Sequence, residues 1–479
     1  MVESVYKKDS DKDLDNGKSS PKLSPTTAYS SKNIEEQDWF HAMRPRSDVQ
    51  NLVKNEGDWL VRVTDTRGLY ELVITARGPK CKLFNFTVGV CNKKGFFLNI
   101  LLKSKNLKYF SNIVDLVDYY KGKVLPGKVV LKNPIIKPVW LIKKNQIKYD
   151  KDSGEIGRGN FAIVYKGTFT TNGNQTINVA IKVAITETSD KINIKNAKDD
   201  LLKEAKIMSY LVHDNIVHFY GIACDKPPVI LVMELCPGGA LSSHLKREEK
   251  NICELEKVLY AHEICKGCTF LHSKEIIHRD LAARNCLISQ DGIIKISDFG
   301  LSKMSTELKY ENFWSQKIPL AWMAPETLVH NPTYSEKSDV WSFAVVLFEI
   351  FSNGAKPWPD MEPKKMATLI RKIKLWDMPS GTPKFVLDIV NKIFKADPSV
   401  RPDFKELTSI FKNYLIEKRL SHSVNELTIN KIKGVKRKKY FAVIDERDQF
   451  SSLSNCNNKY SSKEHDRDGN LFHTFKPSN

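Results

Sequence analysis

The sequence lacks the features that mark a membrane or secreted protein. Its longest apolar run, VWSFAVVLFEIF (residues 340–351), is shorter than the roughly 20 residues that span a bilayer, so it predicts a buried helix instead. The chain begins MVESVYKKDS, without the apolar segment of a signal peptide, and Val2 stands where N-myristoylation needs glycine. We therefore expect a soluble protein of the cytoplasm.

The chain also lacks paired cysteine clusters. It has nine cysteines, an odd number, which argues against a disulfide framework and for a reduced compartment. Cys265 and Cys268 form a CxxC within ELEKVLYAHEICKGCTFLH (254–272), whose periodicity predicts a helix. The two cysteines would lie one helical turn apart. A packing role is favoured over zinc binding, because neither a second cysteine pair nor a histidine pair accompanies them.

No nucleic-acid-binding motif accompanies the strongly basic charge. The net charge is +19, yet the 75 basic residues are scattered among 56 acidic ones. Such a balance favours phosphate-bearing partners over nucleic acid. At 479 residues, with 41% hydrophobic and 10% aromatic residues, the chain can build two or three packed domains.

Composition and periodicity divide the chain into five segments. Short strand-like runs and then a helical run predict a small α+β domain, and a Pro-rich stretch separates it from a larger unit that opens with strands and continues with helices. The expected segments are a disordered N-terminal segment (1–36), the small domain (37–132), a linker (133–146), the large unit (147–416) and a basic, disordered tail (417–479).

The large unit contains six short motifs in a fixed order. Each alone is weak evidence, since a glycine-rich loop, a strand lysine or a helix glutamate has an ordinary structural explanation. In chain order they are the loop IGRGNFAIVYKG (156–167), Lys182, Glu204, HRDLAARN (278–285), DFG (298–300) and MAPE (323–326). This order resembles the eukaryotic protein kinase family over residues 147–416 and implies its two-lobed fold.

The resemblance implies a role for each polar residue. Lys182 would hold the ATP phosphates and pair with Glu204, and Asp280 would accept the proton of the substrate hydroxyl. Asn285 and Asp298 would ligate Mg²⁺, with Mn²⁺ as an alternative ion, because such ions prefer oxygen ligands. The residues assigned to ATP are Ile156, Gly157, Arg158, Gly159, Asn160, Phe161, Ala162, Ile163, Val164, Lys182, Glu234 and Cys236.

Two features indicate that the substrate hydroxyl belongs to tyrosine. Serine/threonine kinases usually have a lysine two residues past the catalytic aspartate, where this chain has Ala282, and Arg284 gives the pattern of tyrosine kinases. IPLAWMAPE (318–326) is similar to their substrate segment. Three alanines depart from the family pattern, namely Ala162 at the third loop glycine, Ala321 before Trp322, and Ala344.

The small domain resembles the Src-homology-2 (SH2) domain through WFHAMRPRSD (39–48) and EGDWLVRVTD (56–65). Arg62 shares its strand face with Leu60, which favours a buried guanidinium that binds an anion over an outward-facing arginine. The resemblance implies that Arg62 binds phosphotyrosine, helped by Arg46, Thr64 and Thr66. On the strand beside the bound ring the family usually has a basic residue or a histidine. That position is assigned to Leu83 in this chain.

An SH2 domain directly before a tyrosine kinase, without an SH3 domain, resembles the Fes/Fer family of non-receptor kinases, in particular its short nematode members. The expected partners are phosphotyrosine proteins and protein tyrosine substrates. In this family the SH2 unit packs against the small lobe and favours the active arrangement. The alternatives are a phosphotyrosine-binding scaffold with an inert kinase unit and, less favoured by Ala282 and Arg284, a serine/threonine kinase.

Two further sites are predicted outside these motifs. Tyr310 lies twelve residues past Asp298, between DFG and APE, and is expected to be an activating phosphorylation site that pairs with Arg279; the alternative is an exposed loop tyrosine without a role. The basic run KIKGVKRKKY (431–440) is expected to be solvated, and binding to the anionic inner face of the plasma membrane or nuclear targeting are its alternatives.

Overall fold

The structure is a computed structural model. It describes residues 33–66, 69–159, 162–185, 191–304, 320–418, 427–437, 464–465 and 471–472. The chain forms two compact units. The first unit consists of the described residues up to Phe169, Ile181–Ala205 and Tyr220–Val232. The second unit consists of the remaining described residues.

The N-terminal part of the first unit is a six-stranded sheet with two helices. Its elements are β1 (Phe40–Met43), α1 (Arg46–Gln50), β2 (Asp58–Thr66), β3 (Leu69–Arg77), β4 (Leu83–Cys91), β5 (Gly95–Leu98), α2 (Ile113–Tyr120), the paired short strands β6 (Val124–Leu125) and β7 (Val129–Val130), and β8 (Asn133–Pro134). Strands β2 to β5 are antiparallel in chain order, and β1 and β8 pair with β2 in parallel.

Both faces of this sheet are covered. Trp59, Leu60 and Val61 are fully buried, and consecutive strand residues point to opposite faces. Leu60 packs with Val49 of α1 and with Val53, which follows that helix. The strands and the helix expected in this part of the chain are present.

A seven-stranded sheet follows. Its strands are β9 (Leu141–Ile142), β10 (Ile147–Tyr149), β11 (Glu155–Arg158), β12 (Ala162–Thr170), β13 (Thr176–Ala184), β14 (Phe219–Ala223) and β15 (Ile230–Glu234), and the helix α3 (Lys191–Met208) lies between β13 and β14 in sequence. The strand order is β10-β12-β13-β15-β14-β9, with β11 paired to β12. The alternating segment NVAIKVA, expected to be a strand, is the end of β13.

Within the first unit, the two sheets make polar contacts through α3 and the chain around it. Asp65 of β2 pairs with Lys198 of α3 at 2.6 Å, with both side chains largely buried. The Met43 N–H donates to the Cys224 carbonyl at 3.1 Å. Because α3 also carries Glu204, the N-terminal sheet contacts the helix that holds a predicted catalytic residue.

The second unit is mostly helical. Its elements are β16 (Gly239–Ala240), α4 (Leu241–Glu248), α5 (Glu254–Ser273), β17 (Ile276–Ile277), β18 (Cys286–Ile288), β19 (Ile294–Ile296), β20 (Lys303–Met304), α6 (Glu336–Phe351), α7 (Pro363–Arg371), α8 (Lys384–Ile393), α9 (Phe404–Lys418) and the paired strands β21 (Glu464–His465) and β22 (Leu471–Phe472). Strands β16, β18 and β19 form one antiparallel sheet, and β17 pairs with β20.

Helices α5 and α6 form the core of this unit. Residues Val340 to Leu347 of α6 are buried on consecutive positions, so the helix is covered all round, as its apolar sequence predicts. Cys265 and Cys268 lie on α5 with fully buried thiols, which confirms the expected helix. In the part of the chain that the structure describes, no helix is long and apolar enough to cross a membrane.

Three segments are more ordered than the sequence indicated. Ile34–Glu36, at the end of the predicted disordered segment, is a 3-10 helix in which Ile34 is buried and the Asn33 side chain accepts the Glu35 N–H. The predicted linker contributes β8 to one sheet and β9 to the other. In the tail, residues 427–437 are ordered because they supply hydrogen-bond donors to buried acids of α5, described below.

Candidate active site

The loop HRDLAARN lies between β17 and β18, where Ile276, Ile277, Cys286 and Ile288 are buried as expected and Leu287 is half-buried. The carboxylate of Asp339, on α6, accepts the backbone N–H groups of His278 and Arg279 at 2.8 and 2.9 Å. It also bonds the His272 ring at 3.0 Å. Arg279 has a φ of +69°, which a non-glycine residue rarely adopts, so this buried carboxylate holds a strained backbone in place.

Asp280 is surrounded by groups that orient its carboxylate. One oxygen accepts from the Arg284 guanidinium at 2.5 Å, and the other accepts from the Asn285 amide at 2.8 Å. Burial raises the pKa of Asp280, while the positive charge of Arg284 opposes that rise. A positioned carboxylate with a raised pKa is suited to accept a proton from a hydroxyl group.

Asn285 and Asp298 lie at the open end of the β18–β19 hairpin. The Asn285 carbonyl accepts from both the N–H and the hydroxyl of Ser297, at 2.8 and 3.0 Å, which ties the two strand ends together. Asp298 itself is exposed, with a φ of +63°. Next to it, Phe299 is fully buried and packs against the His278 ring at 5.3 Å.

These two side chains fit a divalent metal ion. The Asn285 amide nitrogen is used by Asp280, whose backbone carbonyl and carboxylate it contacts at 2.8 Å each, so its amide oxygen is the atom left for a ligand. Asp298 offers an exposed carboxylate. An amide oxygen and a carboxylate are ligands that Mg²⁺ prefers.

Arg284 and Trp322 form a second contact beside Asp280. The guanidinium carbon of Arg284 lies 4.6 Å from the centre of the Trp322 ring, a cation–π geometry. Glu349 of α6 accepts the Trp322 indole N–H at 3.0 Å and the Ala283 N–H at 2.9 Å. Burial raises the pKa of Glu349. The loop and the segment before MAPE are thus fixed to the same buried side chain.

In the first unit, Lys182 and Glu204 form a buried ion pair. The Lys182 ammonium lies 2.8 Å from each carboxylate oxygen of Glu204, and the Glu204 side chain is only 3% exposed. The strand β13 supplies the lysine and α3 the glutamate. The structure thus brings these two sequence-predicted residues together.

The glycine-rich loop runs from β11 to β12. The Gly159 N–H donates to the Ala162 carbonyl at 2.8 Å, and Arg158 pairs with Glu155 on the surface. Among the described residues, a Cβ at Gly157 or Gly159 would meet no atom closer than 3.5 Å, so space beside both glycines is open to a ligand. Ile156 is exposed, Ile163 and Val164 are half-buried, and Ala162 is buried. Asn160 and Phe161 lie outside the described residues.

Glu234 and Cys236 were assigned to ATP binding from the sequence. Glu234 has partners within the protein, and Cys236 is buried. The Glu234 carboxylate accepts the His218 N–H at 3.1 Å and pairs with Lys295 at 3.0 Å. Cys236 is buried, which raises the pKa of its thiol to about 12. Their contribution to ATP binding stays a prediction, and it would have to use backbone groups.

Arg62 forms a separate candidate site in the N-terminal sheet. It is 3% exposed, and its guanidinium donates to Thr75 Oγ1 at 3.1 Å, the Arg44 carbonyl at 3.0 Å and Asn85 Oδ1 at 3.3 Å. Burial lowers the pKa of Arg62 to about 10, and the positive charge of Arg46 adds to that effect. A second cation nearby and three neutral acceptors suit a site for an anion.

The remaining predicted residues of this site are only partly placed. Thr64 lies two residues from Arg62 on β2 and so shares its face, whereas the Thr66 side chain lies outside the described residues. The assignment of Leu83 to the strand position beside the bound ring stays a prediction. Leu83 packs with the apolar cluster around Leu60, and Asn85, which was not predicted from the sequence, lies opposite Thr75 in the β3–β4 register and contacts Arg62.

Comparison with known proteins identifies the family. The family described as protein tyrosine and serine/threonine kinase matches residues 151–411. The chain belongs to this kinase family. It is 34% identical to tyrosine-protein kinase Fer of Rattus norvegicus over 405 residues, which cover 82% of this chain and 46% of Fer. It is 31% identical to Fer-related kinase 1 of Caenorhabditis elegans over 377 residues, 77% of this chain and 91% of that protein.

The resemblance to Fes/Fer kinases inferred from the sequence is confirmed. This chain spans less than half the length of Fer from rat and from Homo sapiens, of which it covers 46% and 45%. The kinase fold, with a sheet-rich part and a helical part, is confirmed as well.

Two residues that position the loop were not predicted from the sequence, and the expectation for Arg279 changes. Asp339 and Glu349 hold the loop backbone, and the signal for both was a pair of acids inside the most apolar helix. Arg279 was expected to await a phosphate, but it donates to the Leu301 carbonyl at 3.3 Å and lies 4.3 Å from the Tyr334 ring. Tyr310 lies outside the described residues.

Proposed function

We propose that this chain is a non-receptor protein tyrosine kinase. Its kinase domain, residues 147–416, would transfer the γ-phosphate of ATP to tyrosine hydroxyls of proteins. The observation that carries the proposal is the carboxylate of Asp280, held by Arg284 and Asn285. Similarity to Fer and to Fer-related kinase 1 supports it.

Each charged residue has a role in this reaction. Asp280 accepts the proton of the attacking hydroxyl, and Lys182, positioned by Glu204, binds the α- and β-phosphates of ATP. Asn285 and Asp298 would hold Mg²⁺, for which Mn²⁺ could substitute, and the bound ion would supply positive charge to neutralise the phosphates. Gly157 and Gly159 leave room for the phosphates.

Arg284 accounts for tyrosine specificity. It contacts Asp280 and the Trp322 ring at once, so it braces the base against the segment that receives the substrate. A lysine at position 282 would serve serine or threonine substrates, but this chain has Ala282, which is fully buried. The contacts of Arg284 support tyrosine, rather than serine or threonine, as the substrate residue.

The second part of the proposal is that residues 37–132 are an SH2 domain that binds phosphotyrosine proteins and thereby targets or activates the kinase. Its support is the buried Arg62, whose hydrogen bonds in the described residues go to neutral oxygens. The Asp65–Lys198 ion pair is a route by which binding would act on α3 and Glu204.

The test uses purified full-length protein with ATP, Mg²⁺ and a mixed pool of tyrosine and serine peptides. Mass spectrometry should locate phosphate on tyrosine only. Phosphate on serine would support a serine/threonine kinase. An absence of transfer, together with retained phosphopeptide binding, would support the alternative of a scaffold with an inert kinase unit.

Tyr310 is proposed as an activating phosphorylation site. A phosphate there would add nearly two negative charges to the segment between DFG and APE. Because Arg279 already contacts Leu301 and Tyr334, pairing with the phosphate requires those contacts to change. Preincubation with ATP should accelerate the wild-type enzyme and leave Tyr310→Phe slow. Equal time courses would make Tyr310 an exposed loop residue without a role.

We also propose a cytoplasmic location. Attachment of the basic tail to an anionic membrane stays a prediction, and it cannot use Arg437, because this residue is buried in an ion pair.

A further inference from the structure

Residues 427–437, predicted to belong to a solvated tail, are packed into the helical unit. A 3-10 helix, Thr428–Lys431, opens this segment, which we name the C-terminal clasp. Five of its residues are buried: Leu427, Thr428, Ile429, Val435 and Arg437. An exposed charge run would bury none of these side chains, so the clasp is part of the folded unit.

The first anchor of the clasp is Glu256 on α5, a fully buried acid. One of its oxygens accepts the Thr428 N–H at 3.0 Å. The other accepts the Thr428 hydroxyl and the Ile429 N–H, each at 3.0 Å. A buried carboxylate needs such donors, because burying a charge without partners is very unfavourable. The clasp therefore supplies three of the donors to Glu256, and the Tyr260 hydroxyl of α5 supplies another at 2.5 Å.

The second anchor is an ion pair with almost no exposure to solvent. Arg437 contacts the Glu263 carboxylate at 2.6 Å, and the two side chains are 2% and 1% exposed. The other oxygen of Glu263 accepts the Ile294 N–H at 2.9 Å. Glu263 thus joins the clasp directly to the first residue of β19.

The clasp also binds the turn of the β18–β19 hairpin. The Arg437 guanidinium donates to the Gly292 carbonyl at 2.7 Å, and the Lys436 N–H donates to the Gln290 carbonyl at 2.8 Å. Gly292 has a φ of +66°, and a Cβ there would meet Arg437 Cβ at 3.0 Å. The turn is therefore fitted closely to the clasp.

The opposite end of the same hairpin carries the residues assigned to Mg²⁺. Asn285 immediately precedes β18, and Asp298 follows β19 by two residues. The strands are three residues long and pair from Cys286–Ile296 to Ile288–Ile294. A short paired hairpin transmits a displacement of its turn to its open end, because its register is fixed along its whole length.

We propose that Arg437 is a positioning residue of the kinase reaction. By holding Glu263 and the hairpin turn, the clasp fixes the distance between Asn285 and Asp298. The metal ion in this inference rests on the proposed function. The link from Arg437 to Asn285 and Asp298 rests on the hairpin contacts alone.

The experiment compares full-length Arg437→Gln with Lys436→Gln. The control removes an exposed basic side chain from the neighbouring position and keeps the buried ion pair. Two measurements need no phosphate transfer: backbone hydrogen exchange of residues 286–296 by mass spectrometry, and the affinity for Mg²⁺-ADP by calorimetry. Turnover and the KM for a tyrosine peptide are then measured on the same samples.

Arg437→Gln should speed exchange of the hairpin amides and weaken Mg²⁺-ADP binding about 3- to 10-fold, with the peptide KM unchanged. Lys436→Gln should match wild type. Arg437→Lys, which keeps the charge but not the paired donors, should fall between them, and it serves as the second variant if Arg437→Gln does not fold.

Other results would overturn the inference. A lower melting temperature with wild-type hairpin exchange and wild-type Mg²⁺-ADP affinity would make Arg437 a residue of general stability only. Equal behaviour of Arg437→Gln and Lys436→Gln would remove its special role. If wild type transferred no phosphate, the proposed function would fail, while exchange and ADP affinity would still decide the role of the clasp.

Discussion

Arg62 and Arg437 are both nearly inaccessible to solvent, yet their surroundings differ. Arg437 faces a carboxylate, Glu263, at 2.6 Å. Arg62 donates, within the described residues, to a hydroxyl, a carbonyl and an amide oxygen, and Arg46 adds a second positive charge. Of these two arginines, the one paired with an acid belongs to the fold, and the one held by neutral acceptors is the one proposed to bind an anionic ligand.

The same distinction separates the acids of the helical unit. Glu256, Glu263 and Asp339 are each satisfied by donors from the protein itself. Asp298 is exposed, and Asp280 keeps a raised pKa in spite of its partners. Burial alone does not mark a functional charge.

The largest effect is expected for Asp280→Asn, which removes a charge assigned to the reaction. Because an amide cannot accept the hydroxyl proton, turnover should fall by about 10²- to 10⁴-fold. Steady-state kinetics measure the loss, and calorimetry should show unchanged ATP binding. Phosphate transfer at the wild-type rate would place Asp280 among the structural acids.

Arg62→Ala should weaken phosphopeptide binding by about 2–4 kcal/mol, since charged hydrogen bonds contribute roughly 1.5–3 kcal/mol each and are not additive. The matched control is Arg77→Ala, because Arg77 donates to three backbone carbonyls, of Gln50, Val53 and Cys81. That variant should lose stability and keep its affinity. Equal affinity of wild type and Arg62→Ala would erase the contrast with Arg437.

His41 extends the comparison to a buried group that stays neutral. Burial lowers its pKa to about 4, from 6.5, and its Nε2 contacts the Ile135 carbonyl at 2.8 Å. As pH falls below 6.5, His41 binds a proton in the unfolded chain before it does so in the folded protein. The contribution of His41 to the free energy of unfolding, present above pH 6.5, is therefore lost between pH 6.5 and 4, by up to about 3 kcal/mol.

Urea unfolding of wild type and His41→Gln at pH 7.5 and pH 5 measures this contribution. The variant should lose less stability on acidification, although other histidines with a lowered pKa, such as the half-buried His213 with a pKa of about 4, respond in both proteins. Identical losses in the two proteins would show that His41 does not resist protonation.

Asn85→Asp tests the comparison with the smallest change. It places a carboxylate beside Arg62 and so imitates the pairing of Arg437 with Glu263. Phosphopeptide affinity should fall about tenfold, because the new charge repels the phosphate, while stability is kept. Asn85→Ser controls for loss of the amide without a new charge. Wild-type affinity in the Asn85→Asp variant would mean that Asn85 does not face the bound phosphate.

The sequence was most informative where chemistry fixes both residue type and order. Lys182 and Glu204 could be paired from the motif order, and the loop around Asp280 could be placed between buried strands. The alternation of β2 correctly placed Arg62 on a buried face. Such features are local, and a periodic pattern reports them directly.

What could not be predicted depends on contacts between distant segments. Asn85 was not predicted beside Arg62 because strand register is set by pairing with β3, which a single sequence does not show. The clasp resembled a disordered run because its buried charge, Arg437, is neutralised by an acid far away on α5. Glu349 was interpreted only as a member of an apolar helix, and Asp339 was assigned no role.

The ion pair between Glu263 and Arg437 also has a consequence for synthesis on the ribosome. The two residues are 174 positions apart. At about 5–20 residues per second, roughly 10–35 s pass after Glu263 is made before its partner exists. During that interval α5 carries two acids, Glu256 and Glu263, whose donors from the clasp have not yet been translated. The helical unit can complete its core only when this late segment has left the exit tunnel.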